Sequence, residues 1–168
     1  MTSPADPFLG RPPAGGPGAP ELHFPDEAFP PYRFVPGKNP HPFAHEGGWG
    51  YGTDRAPPPF VERDAWSGNT AYLRGVDLFN RGWWWEAHEV WETLWKESRS
   101  DYYQGLIQMA AALIKVHIGQ WSGAGRLIAR ARERLAQTAG ADLLEQFDRC
   151  FGDGPEQVVW ENAPRIRN

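Results

Sequence analysis

Beyond Asn69 the apolar positions recur every three to four residues, the period of an amphipathic helix, and capping residues or glycines interrupt it at intervals. Asn69 or Thr70 can cap a first helix running to about Arg81, with Gly82 as its stop. A second helix is expected over about 83–97. Ser100 or Asp101 caps a third, running to about Ile118 and ended by Gly119. Ser122 caps a fourth, to about Thr138 before Gly140, and a shorter fifth covers roughly 141–151 before Gly152. Period two is not sustained anywhere, apart from a weak alternation at 157–160, so no sheet is assigned. Short connections favour antiparallel neighbours. The pattern predicts an all-α bundle of two antiparallel helical hairpins plus a closing helix, over residues 69–151.

Ahead of this domain the pattern changes, for fifteen of the seventeen prolines lie before residue 60. Residues 1–20 carry Pro, Gly and Ala with almost nothing to bury and read as a disordered leader. In residues 21–68 the prolines are interspersed with Phe24, Phe29, Tyr32, Phe34, Phe43, Trp49 and Phe60. Such a stretch is a poor helix, yet its aromatics are costly to leave in water. It is expected to be an extended arm packed across the helical domain. Residues 152–168 bring Val158, Val159, Trp160 and Ile166, and read as a tail pinned to the core.

The second helix carries the polar residues of interest. With His88 at zero and about 100° per residue, Trp83, Trp84, Ala87, Val90, Trp91, Leu94 and Trp95 share one apolar arc. Glu86, Glu89, Thr93 and Glu97 are expected opposite, on the wet side. His88 and Glu92 sit one turn apart at the edge of the arc, where a polar pair is partly desolvated but still reachable. Trp85 falls off the arc and is the candidate for an exposed or arm-covered anchor of the interaction-module reading, with simple packing under the arm the favoured alternative. On the third helix Gln104 and Gln108 are one turn apart, and Gly105 between them allows close helix approach or access for a ligand. His117 groups with Leu106, Ala110 and Leu113 on another side.

A faint internal repeat runs alongside. Gly82, Trp84, Ala87, Trp91 and Leu94 precede Gly119, Trp121, Ala124, Ile128 and Ala131 by 37 residues. That spacing is near that of tetratricopeptide-type hairpins, about 34 residues, and supports a scaffold reading.

Composition narrows the function. A net charge of −4 argues against a general nucleic-acid binder, and the stripe Arg126, Arg130, Arg134 reads as a solvated face. The single cysteine, Cys150, excludes an intrachain disulfide and a cysteine-based zinc site, and fits a cytoplasmic protein. No apolar run approaches the roughly 20 residues of a membrane span, and residues 1–30 lack the basic start and apolar stretch of a secretory signal. No membrane association is expected.

The run FNRGWWWEAHEVWETLW (79–95), followed by QGLIQMAAALIKVH (104–117) and GQWSGAGRLIARA (119–131), resembles the DUF309 family of small helical proteins. The shared features are an HExxE signature at His88, Glu89 and Glu92, then Trp95, the QGLIQ motif from Gln104 to Gln108, and His117. The resemblance spans about 71–138, and VPGKNPHPFAHEGGWGYG (35–52) resembles a leader of some members. It implies an all-helical fold and a polar cluster of interest, not a reaction.

Three readings of the cluster follow. His88 and Glu92 at i, i+4 can ligate a divalent metal, with His117, or His41 and His45 from the arm, supplying further ligands and Gln104 and Gln108 contacting a small polar ligand. HEVWE has Glu where a zincin has its second His, and a ferritin-like Glu-x-x-His would need Glu where Trp85 stands. Without metal, Glu92 could serve as a general base with His88 as its partner. Alternatively the domain is a helical interaction module, and the cluster is a structural hydrogen-bond network pairing His88 and Glu92 with Gln104 or backbone. The Trp-rich faces make homodimerisation a further expectation.

Overall fold

Five helices form where the period places them: α1 (Thr70–Asn80), α2 (Trp84–Ser98), α3 (Asp101–His117), α4 (Trp121–Thr138) and α5 (Ala141–Phe151). The structure, a computed structural model, describes residues 19–53 and 68–167. The leader expected over 1–20 therefore lies outside the described residues except for its last two, as does the 54–67 part of the arm. No strand occurs among the described residues, and the weak alternation at 157–160 falls within a segment carrying the 3-10 turns Pro155–Gln157 and Trp160–Asn162. No described helix is long and apolar enough to cross a membrane.

The helix ends follow local chemistry with two departures. Asn69 caps α1, its side-chain oxygen accepting the Tyr72 N–H at 2.8 Å. Ser100 occupies the cap position of α3 but makes no side-chain cap bond; its own N–H donates to Ser98 Oγ instead. Ser122 is not a cap. α4 starts one residue earlier, and the Ser122 hydroxyl inside its first turn accepts from Arg126. Arg99, which ends α2, is the one non-glycine with positive φ among the described residues, at 54°. Its guanidinium lies 4.5 Å above the Trp95 ring, a cation–π contact that offsets part of the backbone cost, about 1–2 kcal/mol.

α1 packs on α2, α2 on α3 and α3 on α4, with α5 closing against α4. Trp84, Trp91, Tyr72, Phe79, Leu106 and Met109 are fully buried between them. The α1–α2 crossing depends on Gly75. A Cβ built there would stand 2.2 Å from Trp91 Nε1, which now donates to the Tyr72 carbonyl at 3.3 Å. Gly75→Ala should therefore destabilise the fold by about 2 kcal/mol, overpacking and the lost bond outweighing the gain in helix propensity of about 1 kcal/mol. Thermal unfolding read by circular dichroism should show a fall of about 4–8 °C. An unchanged or raised melting temperature would mean that the indole moves aside freely. Gly105 serves the α3–α4 contact in the same way, since a Cβ there would meet Leu135 at 2.9 Å. It permits helix approach rather than ligand access.

The described arm has no α-helix or strand and the tail only two 3-10 turns, so backbone groups that local turns leave unpaired need other partners. Polar side chains of α1, α2 and α5 supply several of them. Asp77, 1% exposed, accepts from the His23 N–H, the His23 ring and the Phe24 N–H at 2.9–3.0 Å. Glu86 accepts from the Phe34 N–H at 2.9 Å. Arg74 donates to the Ala28 carbonyl, pairs with Glu27 and lies over Phe29. Asn80 binds both backbone groups of Ile166 at 2.8 Å, and Gln146 does the same for Arg165. Trp160 of the tail stacks on Trp84.

This overturns one expectation of the wheel. Glu86 is not on the wet side but 4% exposed, because the arm runs over that face of α2. Trp85 is also covered, with Phe34 and His41 edge-on at 4.9 and 5.2 Å and Phe43 beyond.

Candidate functional site

The middle of α2 brings three donors to one patch. His88, Glu89 and Glu92 each offer a ligand atom, and the three atoms lie within 4.8 Å of one another. The helix explains it. On the wheel Glu92 falls at about 40°, between His88 at 0° and Glu89 at 100°, so i, i+1 and i+4 make a triangle on one surface. The opposite side of α2, with Ala87, Trp91 and Leu94, is buried and fixes the backbone beneath them. The three side chains are between one fifth and one third exposed. His88 Nδ1 stands 3.3 Å from a Glu89 oxygen, and Glu92 pairs at 3.3 Å with the exposed Lys96.

Glu89 is the member that periodicity assigned to solvent. The signal that could have found it was present, because Glu89 and Glu92 are i, i+3 neighbours only about 60° apart.

A cleft of about 750 Å³ lies beside this patch, between the arm and the paired helices α1 and α2. Phe29, Phe43, Trp49 and Trp85 give it aromatic walls, with Ala71, Leu78 and Val90 between them. Its polar lining includes Arg74, Glu86, Glu89 and Thr93. Glu89 thus belongs to both the donor patch and the cleft. Thr93 Oγ1 donates to the Glu89 carbonyl one turn back and stays on the helix.

The other residues singled out by sequence lie elsewhere. His41 Nδ1 accepts from the Phe43 and Ala44 N–H groups, which puts its proton on Nε2 and ties the ring to a turn above Trp85. His45 caps the Gly47 N–H in the same way on an exposed loop. His117 sits at the end of α3, edge-on to Trp160 at 5.6 Å. None of the three belongs to the patch of close donors. Gln104 and Gln108 are half-buried on α3, and no hydrogen bond joins either to His88 or Glu92 among the described residues. Of the alternative network, the pairing of His88 and Glu92 with Gln104 does not occur among the described residues.

Among the described residues, Cys150 and the buried tyrosines offer no alternative nucleophile. Burial pushes the Cys150 thiol up to about 12, so it stays protonated at neutral pH. Burial also raises Tyr103 to about 12 and Tyr72 further still, the latter held by a 2.9 Å bond to the Tyr102 hydroxyl. These tyrosines are packing groups between α1 and α3.

Residues 72–127, a third of the chain, match the family model DUF309, described as a domain of unknown function. The matched stretch contains all of α2 and α3 and hence the three donors. No curated protein and no solved structure matches the chain.

Proposed function

From a chain that carries a DUF309 domain, a family without an assigned function, we propose a divalent-metal site formed by His88, Glu89 and Glu92 on the rim of the arm-covered cleft. The observation that carries this reading is the convergence of one imidazole and two carboxylates within 4.8 Å on a single helical surface. Ligands at about 2.0–2.2 Å from one ion stand about 3–3.5 Å apart, a closing that side-chain rotation on a fixed helix can supply. Two carboxylates balance a divalent charge, and the mixed nitrogen and oxygen set suits zinc, manganese, iron or nickel. Three protein ligands leave positions open for water or substrate, as in catalytic zinc centres. A bound ion there would lower the pKa of its water and favour hydrolytic chemistry. In this reading His88 and Glu92 are ligands, not an acid–base pair.

Metal analysis and titration calorimetry test it, on full-length protein purified without chelator. One equivalent of zinc or manganese should bind, and His88→Ala or Glu92→Ala should each weaken it by about 100-fold with the helical signal unchanged. His117→Ala and His45→Ala should stay within about twofold of the parent, since neither lies in the patch. A protein that takes up no added zinc, manganese or nickel sinks the proposal.

The scaffold reading has one observation in its favour. Gly82 and Gly119 both have positive φ ahead of α2 and α4, and Ala87 and Ala124, 37 residues apart, are both fully buried. The groove around Trp85, however, already holds the chain's own arm.

A further inference from the structure

We infer that the cleft takes small molecules with an apolar, ring-bearing body and an oxygen-donor head that completes the coordination of the ion at His88, Glu89 and Glu92. The inference rests on the metal reading and adds the ligand class. A volume of about 750 Å³ is that of a small-molecule site, too small for a folded partner. Phe29, Phe43, Trp49 and Trp85 offer ring faces and edges against which a flat apolar body gains both area and quadrupole contacts.

The head group follows from the place of Glu89. This residue lines the cleft and also supplies one of the three donor atoms, so an ion held there borders the cleft directly. Glu86 adds a second carboxylate to the α2 wall. A bound cation is therefore what makes this edge complementary to a carboxylate, carbonyl or hydroxamate oxygen. Arg74, on the α1 wall, is engaged with Glu27 and the Ala28 carbonyl.

The test uses full-length protein loaded with zinc and a hydroxamate series as probes: acetohydroxamate, benzohydroxamate and 3-phenylpropionohydroxamate, each followed by calorimetry. Affinity should rise at least tenfold from the methyl to the phenylethyl probe, and all binding should vanish in the metal-free protein. Ala71→Phe and Thr70→Trp, at the α1 side of the cleft, should remove that rise while leaving zinc and acetohydroxamate affinities unchanged. Two variants guard against one misfolding, and Thr70 is exposed. Where zinc fails, manganese or nickel is loaded instead, and failure to take up any of the three overturns the metal reading and this inference with it. Zinc binding with no gain from the ring, or a gain that survives both variants, overturns the ligand class alone and leaves the metal site standing.

Discussion

Trp85→Ala is expected to cost about 4 kcal/mol and to release the arm's stretch from Phe34 to Phe43 from α2. The side chain is 9% exposed and belongs to the same buried cluster as Trp84 and Trp91. Its ring contacts with the arm are Phe34 and His41 edge-on, and Phe43 at 6.3 Å. Truncating a buried aromatic loses the transfer energy of the ring and leaves a cavity, together about 3–5 kcal/mol. Without that ring the stretch from Phe34 to Phe43 loses its aromatic partner on α2, while the bonds from Asp77, Arg74 and Glu86 still tie residues 23–34. Thermal unfolding should fall by about 8–16 °C, and limited proteolysis should cut within residues 34–43 while α1–α4 stay protected. A melting temperature within about 2 °C of the parent and a protected arm would show that Trp85 is not the anchor.

Asp77→Ala should cost about 3–4 kcal/mol, nearly as much from a polar side chain. One carboxylate at 1% exposure satisfies three N–H groups, two of them backbone donors of the arm. Removing it leaves the part-buried His23 and Phe24 N–H groups without their acceptor, at about 1–3 kcal/mol each, less what water recovers. Asp77→Asn keeps one acceptor oxygen and should lose about half as much. His23→Ala removes only the ring bond and should lose about 1 kcal/mol. Chemical denaturation of the three variants orders them. If Asp77→Ala and His23→Ala cost the same, the backbone bonds contribute nothing and the anchor assignment fails.

The two variants separate apolar cover from polar attachment, and they bear differently on the cleft. Trp85 is itself a wall of that cavity, whereas Asp77 acts through the arm residues 23–24. A metal affinity that survives both changes would place the ion's hold entirely on α2.

The legibility of this protein in its sequence was uneven, and particular residues show why. Asn69 capped α1 as read, because a side-chain oxygen three residues before a free N–H is a local arrangement. Ser122 looked like the same signal, but Trp121 already starts the helix and the serine turns to Arg126. Trp85 was placed under the arm by its angle alone, and the structure puts it there. Glu86 was placed in solvent by the same angle and is buried, because a wheel records which way a residue points and not what comes to cover it. Asp77 and Asn80 carried no pattern at all. Their roles exist only because irregular chain from more than fifty residues away needs partners for its backbone.

The candidate site divides along the same line. His88 and Glu92 were visible as an i, i+4 pair, whereas Glu89 joined them only when side-chain placement brought its oxygen within 4.8 Å of theirs. His41, His45 and His117 were candidates by residue type and went elsewhere, each taken by a local turn or a ring contact.

By itself, then, the sequence determined the helices, their order and the turn of α2 that bears the donors, because those depend on a 3.6-residue period and on caps within a few residues. Only the tertiary structure decided which polar groups are anchors and which border a cavity. That depends on where the proline-rich arm lies, and an arm built of local turns rather than α-helix or strand takes its course across the domain from the helix side chains that bind it, Asp77, Arg74 and Glu86 among them.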